Sequence, residues 1–156
     1  MQLTSTGNVT ENQELALAKI REAAGNGARL IVLPEATAQN FRSGRLDEQA
    51  QTLEGPFATA IQTLAEELEV TVVAGMFCPA DTVERDGKTI NRVTNTALIA
   101  GPGVLGGYDK IHTYDAFDYR ESDTVLAGES LVAFDVDDLI VGVATCYDIR
   151  FPEQFK

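Results

Sequence analysis

The stretch that most limits what this chain can fold into is RLIVLPE, residues 29–35, where Leu30 to Val32 and Leu33 follow one another with no polar residue between them. A strand open to water on one side alternates apolar and polar side chains, so an unbroken β-branched run reads as a strand covered on both faces. Just upstream, Thr10 and Gln13 have the spacing of a capping box, and Leu17, Ile20 and Ala24 recur at helical intervals until Gly25 and Gly27 stop them. A helix of about four turns therefore feeds a strand that Pro34 ends. Pro56 opens a second helix with Phe57, Ile61, Leu64 and Leu68 on one face, and VTVVAGMF is the next strand. RVTNTALIA and GGYDKIH are extended runs around GPGVLGG, a loop that suits a hairpin. SLVAFDV and LIVGVATC complete the strands, and Phe151-Pro152 marks the start of a last helix. Helix and strand alternate first and strands meander later, which predicts a layered α/β or α+β domain rather than an all-β sandwich.

The chain has 156 residues, 44% apolar and 23% charged, which fits one globular domain spanning residues 1–156. No internal repeat, low-complexity tract or linker divides it. A net charge of −12 argues against nucleic acid and against anionic membrane surfaces as partners. No apolar run approaches the ~20 residues of a membrane span, and no signal-peptide pattern opens the chain, so it reads as cytoplasmic with a small-molecule substrate. Cys78 and Cys146 form no C-x-x-C pair and the chain has a single histidine, so neither a disulfide framework nor a metal site is supported. GPGVLG, residues 101–106, fits the dinucleotide-binding spacing, but no helical pattern follows it to meet a pyrophosphate. Residues 109–138 hold nine acidic against two basic residues without calcium-loop spacing. That stretch reads as a solvated face with one candidate, Glu121.

Chemistry has three natural seats. Glu35 ends an apolar strand, where a partly desolvated carboxylate can act as a general base; the plain alternative is a solvated strand-end acid. Lys110 lies in an extended run that would point it the same way as His112; the plain alternative is a surface lysine guarding an edge. Cys146 ends an apolar run just before the polar CYDIRFPE segment. A sharp turn into a helix there would set its sulfur at a positive helix terminus and favour the thiolate, whereas a small buried hydrophobe is the plain alternative. Cys78, in MFCPA, reads as the buried hydrophobe.

Taken in order, LIVLPEA, YDKIH and GVATCYDIRFPE resemble the carbon-nitrogen hydrolase (nitrilase) superfamily, whose catalytic residues are a Glu, a Lys and a Cys. YRES and LAGES, after KIH, are similar to its amidase branch, related to omega-amidase and deaminated-glutathione amidase. The resemblance implies an α-β-β-α layered sandwich, Glu35 as general base, Lys110 as oxyanion stabiliser and Cys146 as nucleophile. It implies that Glu121 holds the lysine and the substrate amide, and that the Tyr147 backbone N–H is a second oxyanion donor. It further implies hydrolysis of a small linear amide through a thioester with no metal or organic cofactor, and a homo-oligomer. A nitrilase acting on nitriles is the same-fold alternative, and a non-catalytic scaffold or interaction protein the alternative from another class. A Cys–His pair using His112 would leave Glu35 and Lys110 without a role. Family members are longer, and MQLTST is similar to the end of a first family strand, so a partial domain is expected, roughly the N-terminal half to two-thirds.

Overall fold

A computed structural model describes all 156 residues. Helix α1 (Val9–Gly25) begins at Asn8, whose side chain accepts from the backbone N–H groups of Thr10 and Glu11. The capping-box spacing at Thr10 therefore lies one turn inside the helix, because Asn8 already satisfies its first free donors. Strand β1 (Leu30–Val32) follows, then α2 (Pro56–Glu67), β2 (Thr71–Arg85), β3 (Lys88–Gly101) and β4 (Val104–Asp109). These strands form one sheet in the order β1-β2-β3-β4. The two-residue strands β5 (Asp115–Ala116) and β6 (Tyr119–Arg120) pair with each other, and the short β7 (Val125–Leu126) lies parallel to the outer part of β3.

β1 pairs in parallel with β2, as a strand–helix–strand crossover requires, and the β2–β3 and β3–β4 pairs are antiparallel hairpins. Pro102-Gly103 closes the β3–β4 hairpin, with Gly103 at φ +73. Asp86-Gly87, both at positive φ, closes the long β2–β3 hairpin and carries it well past VTVVAGMF.

Both helices pack on one face of the sheet. Ala16 and Ile20 from α1, Phe57, Ile61 and Leu64 from α2, and Ile31, Val72 and Leu98 from the strands share the main core. On the opposite face lies a separate hairpin of β8 (Ala133–Val136) and β9 (Leu139–Gly142), where Phe134 and Val136 pack with Ile99. The layers thus run helix, sheet, second sheet, as the α-β-β-α expectation requires of a partial sandwich.

Five expectations need correction. β1 is covered on both faces only in part: Ile31 is buried, yet Val32 is exposed, because β1 is an edge and the β8–β9 hairpin packs against it only at Leu30. Residues 1–6 form no strand, since a single bond from the Met1 ammonium to the Val32 carbonyl makes no ladder. LIVGVATC leaves the sheet after Gly142, and the helix expected at Phe151-Pro152 is a four-residue 3-10 turn, Pro152–Phe155. β4 stops at Asp109, so strand alternation does not govern Lys110 and His112.

Candidate active site

Glu35 stands just beyond β1. Its backbone crosses β2 at Gly75, where any Cβ would overlap the Glu35 carbonyl, and the Gly75 N–H donates to the Pro34 carbonyl at 3.2 Å. This close passage aims the carboxylate over the sheet toward β3. There the Asn95 side-chain amide donates to Glu35 Oε1 at 2.8 Å.

Lys110 lies directly after β4 and its main chain is held twice. Its N–H donates to the Asn95 carbonyl and its own carbonyl accepts from Gly128 N–H, each at 2.9 Å. The side chain is 2% exposed, so the surface-lysine reading is overturned. Nζ lies 3.2 Å from Glu35 Oε1 and 2.9 Å from Glu121 Oε2. Burial by itself favours the neutral amine. The hydrogen bond to Glu121 and the charges of Glu35 and Glu121 outweigh that, and Lys110 titrates above its ordinary value.

Glu121, the one candidate from the acidic stretch, is 3% exposed in a 3-10 turn, Glu121–Asp123, and so leaves the solvated face. Besides Lys110 it accepts from Tyr114 N–H at 2.6 Å and from Asn95 Nδ2 at 3.3 Å. Two carboxylates around one ammonium leave this cluster with a net charge of −1.

Cys146 is exposed and opens a 3-10 turn, Cys146–Arg150, capped by Thr145 and Asp148 in a capping box. Its φ of +52 is a left-handed conformation that costs a non-glycine residue on the order of 1–3 kcal/mol and clusters at functional sites. The expected helix-terminus effect on the thiol is not found. A five-residue 3-10 turn carries little dipole, while partial desolvation of the sulfur and the neighbouring Glu35 carboxylate push the Cys146 thiol above its ordinary value, with Lys110 offsetting only part. At neutral pH the resting species is therefore a thiol beside a carboxylate. Tyr147 follows in the same turn, with its ring edge-on to Tyr114 and Phe151.

The structure brings Glu35, Lys110, Glu121 and Cys146 onto the wall of one pocket of about 420 Å³. Phe41, Arg42, Tyr114 and Tyr119 line the rest of it. None of these four was singled out in the sequence. Arg42 sits in the polar run QNFRSGR, which carries turn signals and no catalytic spacing, and the tyrosines flank the YDKIH and YRES motifs. His112 turns elsewhere: its Nδ1 lies 2.8 Å from Asp148 Oδ1 and its ring stacks on Phe151 at 3.6 Å, so it is committed to a structural contact. Cys78 is half-buried, and burial pushes its thiol up as well.

The sequence and its layered fold have known relatives. The carbon-nitrogen hydrolase family model matches residues 1–156. The chain belongs to that family. It is 43% identical over 159 residues to a hydrolase of Mycobacterium tuberculosis, covering 99% of this chain and 53% of that protein. It is 35% identical over 164 residues to a deaminated glutathione amidase of Synechocystis, covering 100% of this chain and 59% of that one. A solved carbon-nitrogen hydrolase superfamily protein from Xanthomonas campestris superposes with a TM-score of 0.77 at 25% identity, covering 96% of this chain and 52% of that structure. The chain spans about half the length of the curated relatives it matches. No helix of this carbon-nitrogen hydrolase chain is long and apolar enough to cross a membrane.

Proposed function

We propose that this carbon-nitrogen hydrolase chain carries the catalytic trio of an amidase that cleaves a small linear amide through a thioester. The observation behind this reading is the convergence of Cys146, Glu35 and Lys110 on one pocket, with Lys110 Nζ 3.2 Å from Glu35 Oε1. The amidase named among its relatives supports amides over nitriles.

An amide needs a strong nucleophile, a proton carrier and a fixed positive charge at the oxygen that becomes negative. Because the thiol rests protonated, Glu35 takes its proton as Sγ attacks the carbonyl carbon. Lys110 Nζ and the Tyr147 backbone N–H stabilise the oxyanion that forms. Glu35 then gives the proton to the leaving nitrogen, the C–N bond breaks and ammonia departs, leaving an acyl group on sulfur. Water attacks that thioester while Glu35 accepts its proton; the acid leaves and the thiol is restored. Glu121 touches the ammonium throughout and keeps Lys110 charged and aimed.

Aromatic walls beside one arginine fit a short amide that carries a carboxylate at its far end, the ω-amide of a dicarboxylic acid. The test is ammonia release from a panel of aliphatic amides and dicarboxylic monoamides, with the corresponding nitriles as a second arm. Release that vanishes in Cys146→Ala supports the reading. Full release by that variant, or turnover of nitriles alone, overturns it.

A further inference from the structure

Asp148 is fully buried, and no step of the reaction above uses it. Its carboxylate receives four donors at once. Oδ2 accepts from the Tyr108 hydroxyl at 2.6 Å and from Thr145 N–H at 2.8 Å. Oδ1 accepts from His112 N–H at 2.9 Å and faces His112 Nδ1 at 2.8 Å. An ionised carboxylate only accepts, so the ring nitrogen facing it carries the proton. These donors fill the capacity of both oxygens.

The sequence positions of the donors give the arrangement its meaning. Tyr108 and His112 stand two residues to either side of Lys110, while Thr145 immediately precedes Cys146. Gln154 reinforces the joint by donating to the Tyr108 hydroxyl at 2.7 Å, and Phe151 closes it by stacking on His112. One side chain thus ties the segment that carries the ammonium to the turn that carries the sulfur. Thr145 and Asp148 also bracket Cys146 in the capping box, and Cys146 holds a positive φ that a cysteine free to relax would leave.

We propose that Asp148 is a positioning residue that locks the Lys110 segment to the Cys146 turn and so sets where the sulfur stands relative to Glu35 and Lys110. The reading rests on the roles proposed above for those three residues. Asparagine in place of Asp148 would turn an N–H₂ group toward two of the four donors, leaving buried groups unpaired. The turn would then relax, and the sulfur would leave the carboxylate and the desolvated wall that hold its proton. The charged groups facing that sulfur are Glu35, Lys110 and Glu121, so its titration reports its place among them.

The experiment is the pH dependence of iodoacetamide alkylation at Cys146, read by peptide mass spectrometry on the whole chain, with Cys78 as internal reference. It is run on the parent and on Asp148→Asn, Tyr108→Phe and Glu35→Gln. The Cys146 midpoint is expected to move down toward that of an ordinary thiol in Asp148→Asn, to a smaller degree in Tyr108→Phe, and to stay put at Cys78. Glu35→Gln marks the downward shift caused by removing the carboxylate itself. Where amides are turned over, Asp148→Asn lowers kcat by about 100-fold while KM changes less than about 3-fold, as a misplaced nucleophile should. An unshifted Cys146 midpoint in a folded Asp148→Asn overturns the proposal; if that variant does not fold, an unshifted Tyr108→Phe does so. A shifted midpoint without turnover of any amide supports the lock and counts against the amidase reading alone.

Discussion

At the residue scale the site is organised by the cost of burying one cation. A lone ammonium taken out of water costs several kcal/mol, and Lys110 stays charged only because Glu121 and Glu35 close on it. Both carboxylates are thereby spent on the lysine, and the lysine on them. The remaining charge on the pocket wall is Arg42, which pairs with no carboxylate; its backbone N–H donates to Asn40 Oδ1 at 2.8 Å. In a chain of net charge −12, a positive group left unpaired on the wall of the reactive pocket has substrate as its natural counter-ion. Arg42→Gln is therefore expected to raise KM for succinamate about 10-fold, the ~1.4 kcal/mol of a solvent-screened charge pair, and to leave butyramide, its neutral counterpart, unchanged. Ammonia release measured across substrate concentration checks this. Equal effects on the two amides would remove Arg42 from substrate recognition.

At the element scale, what could be read in the sequence was what local pattern controls. The apolar stripe Phe57, Ile61 and Leu64 faces the core as its spacing requires, and the run at residues 30–33 supplies strand β1, with Glu35 just beyond it. Asp86-Gly87 was an available hairpin signal that would have extended β2 and β3 to their full lengths. Other features depended on contacts between distant segments. Whether Lys110 belongs to a strand is decided by where the ladder with β3 stops, and His112 and Tyr108, which bond Asp148, lie 36 and 40 residues away in sequence. The thiol departs from the helix-terminus expectation for the same reason: it is pushed up by desolvation of the sulfur and by Glu35, more than a hundred residues upstream, and not governed by the turn it opens. Gly75 is where such a long-range contact left a mark in a single residue. Alanine there would collide with the Glu35 backbone rather than with a side chain able to swing away. Overpacking of that kind costs about 1–3 kcal/mol, so Gly75→Ala is expected to lower Tm by roughly 3–10 °C and to reduce turnover by displacing Glu35. Unchanged thermal unfolding would show that β1 can shift freely against β2.

At the scale of the whole molecule two surface properties oppose each other. Leu131 just before the β8–β9 hairpin, Leu139 and Ile140 within it, and Ile149 and Phe155 after Cys146 are exposed large apolar side chains. The net charge of −12 repels a second copy. Burial of apolar surface acts only on contact and is insensitive to modest salt, whereas repulsion between exposed charges is screened beyond roughly 8–10 Å at physiological ionic strength. The balance therefore tips toward association as salt rises, the reverse of an interface held by ion pairs. Light scattering on the chain should show a mass that grows with concentration and grows further between about 20 mM and 150 mM salt. The double change Leu139→Glu, Ile140→Lys, which adds no net charge and touches no residue of the reactive pocket, should return the mass toward that of the monomer under the same conditions. A sharp monomer signal from the parent chain at high salt would mean that the exposed apolar side chains of the hairpin are not sticky enough to join two copies.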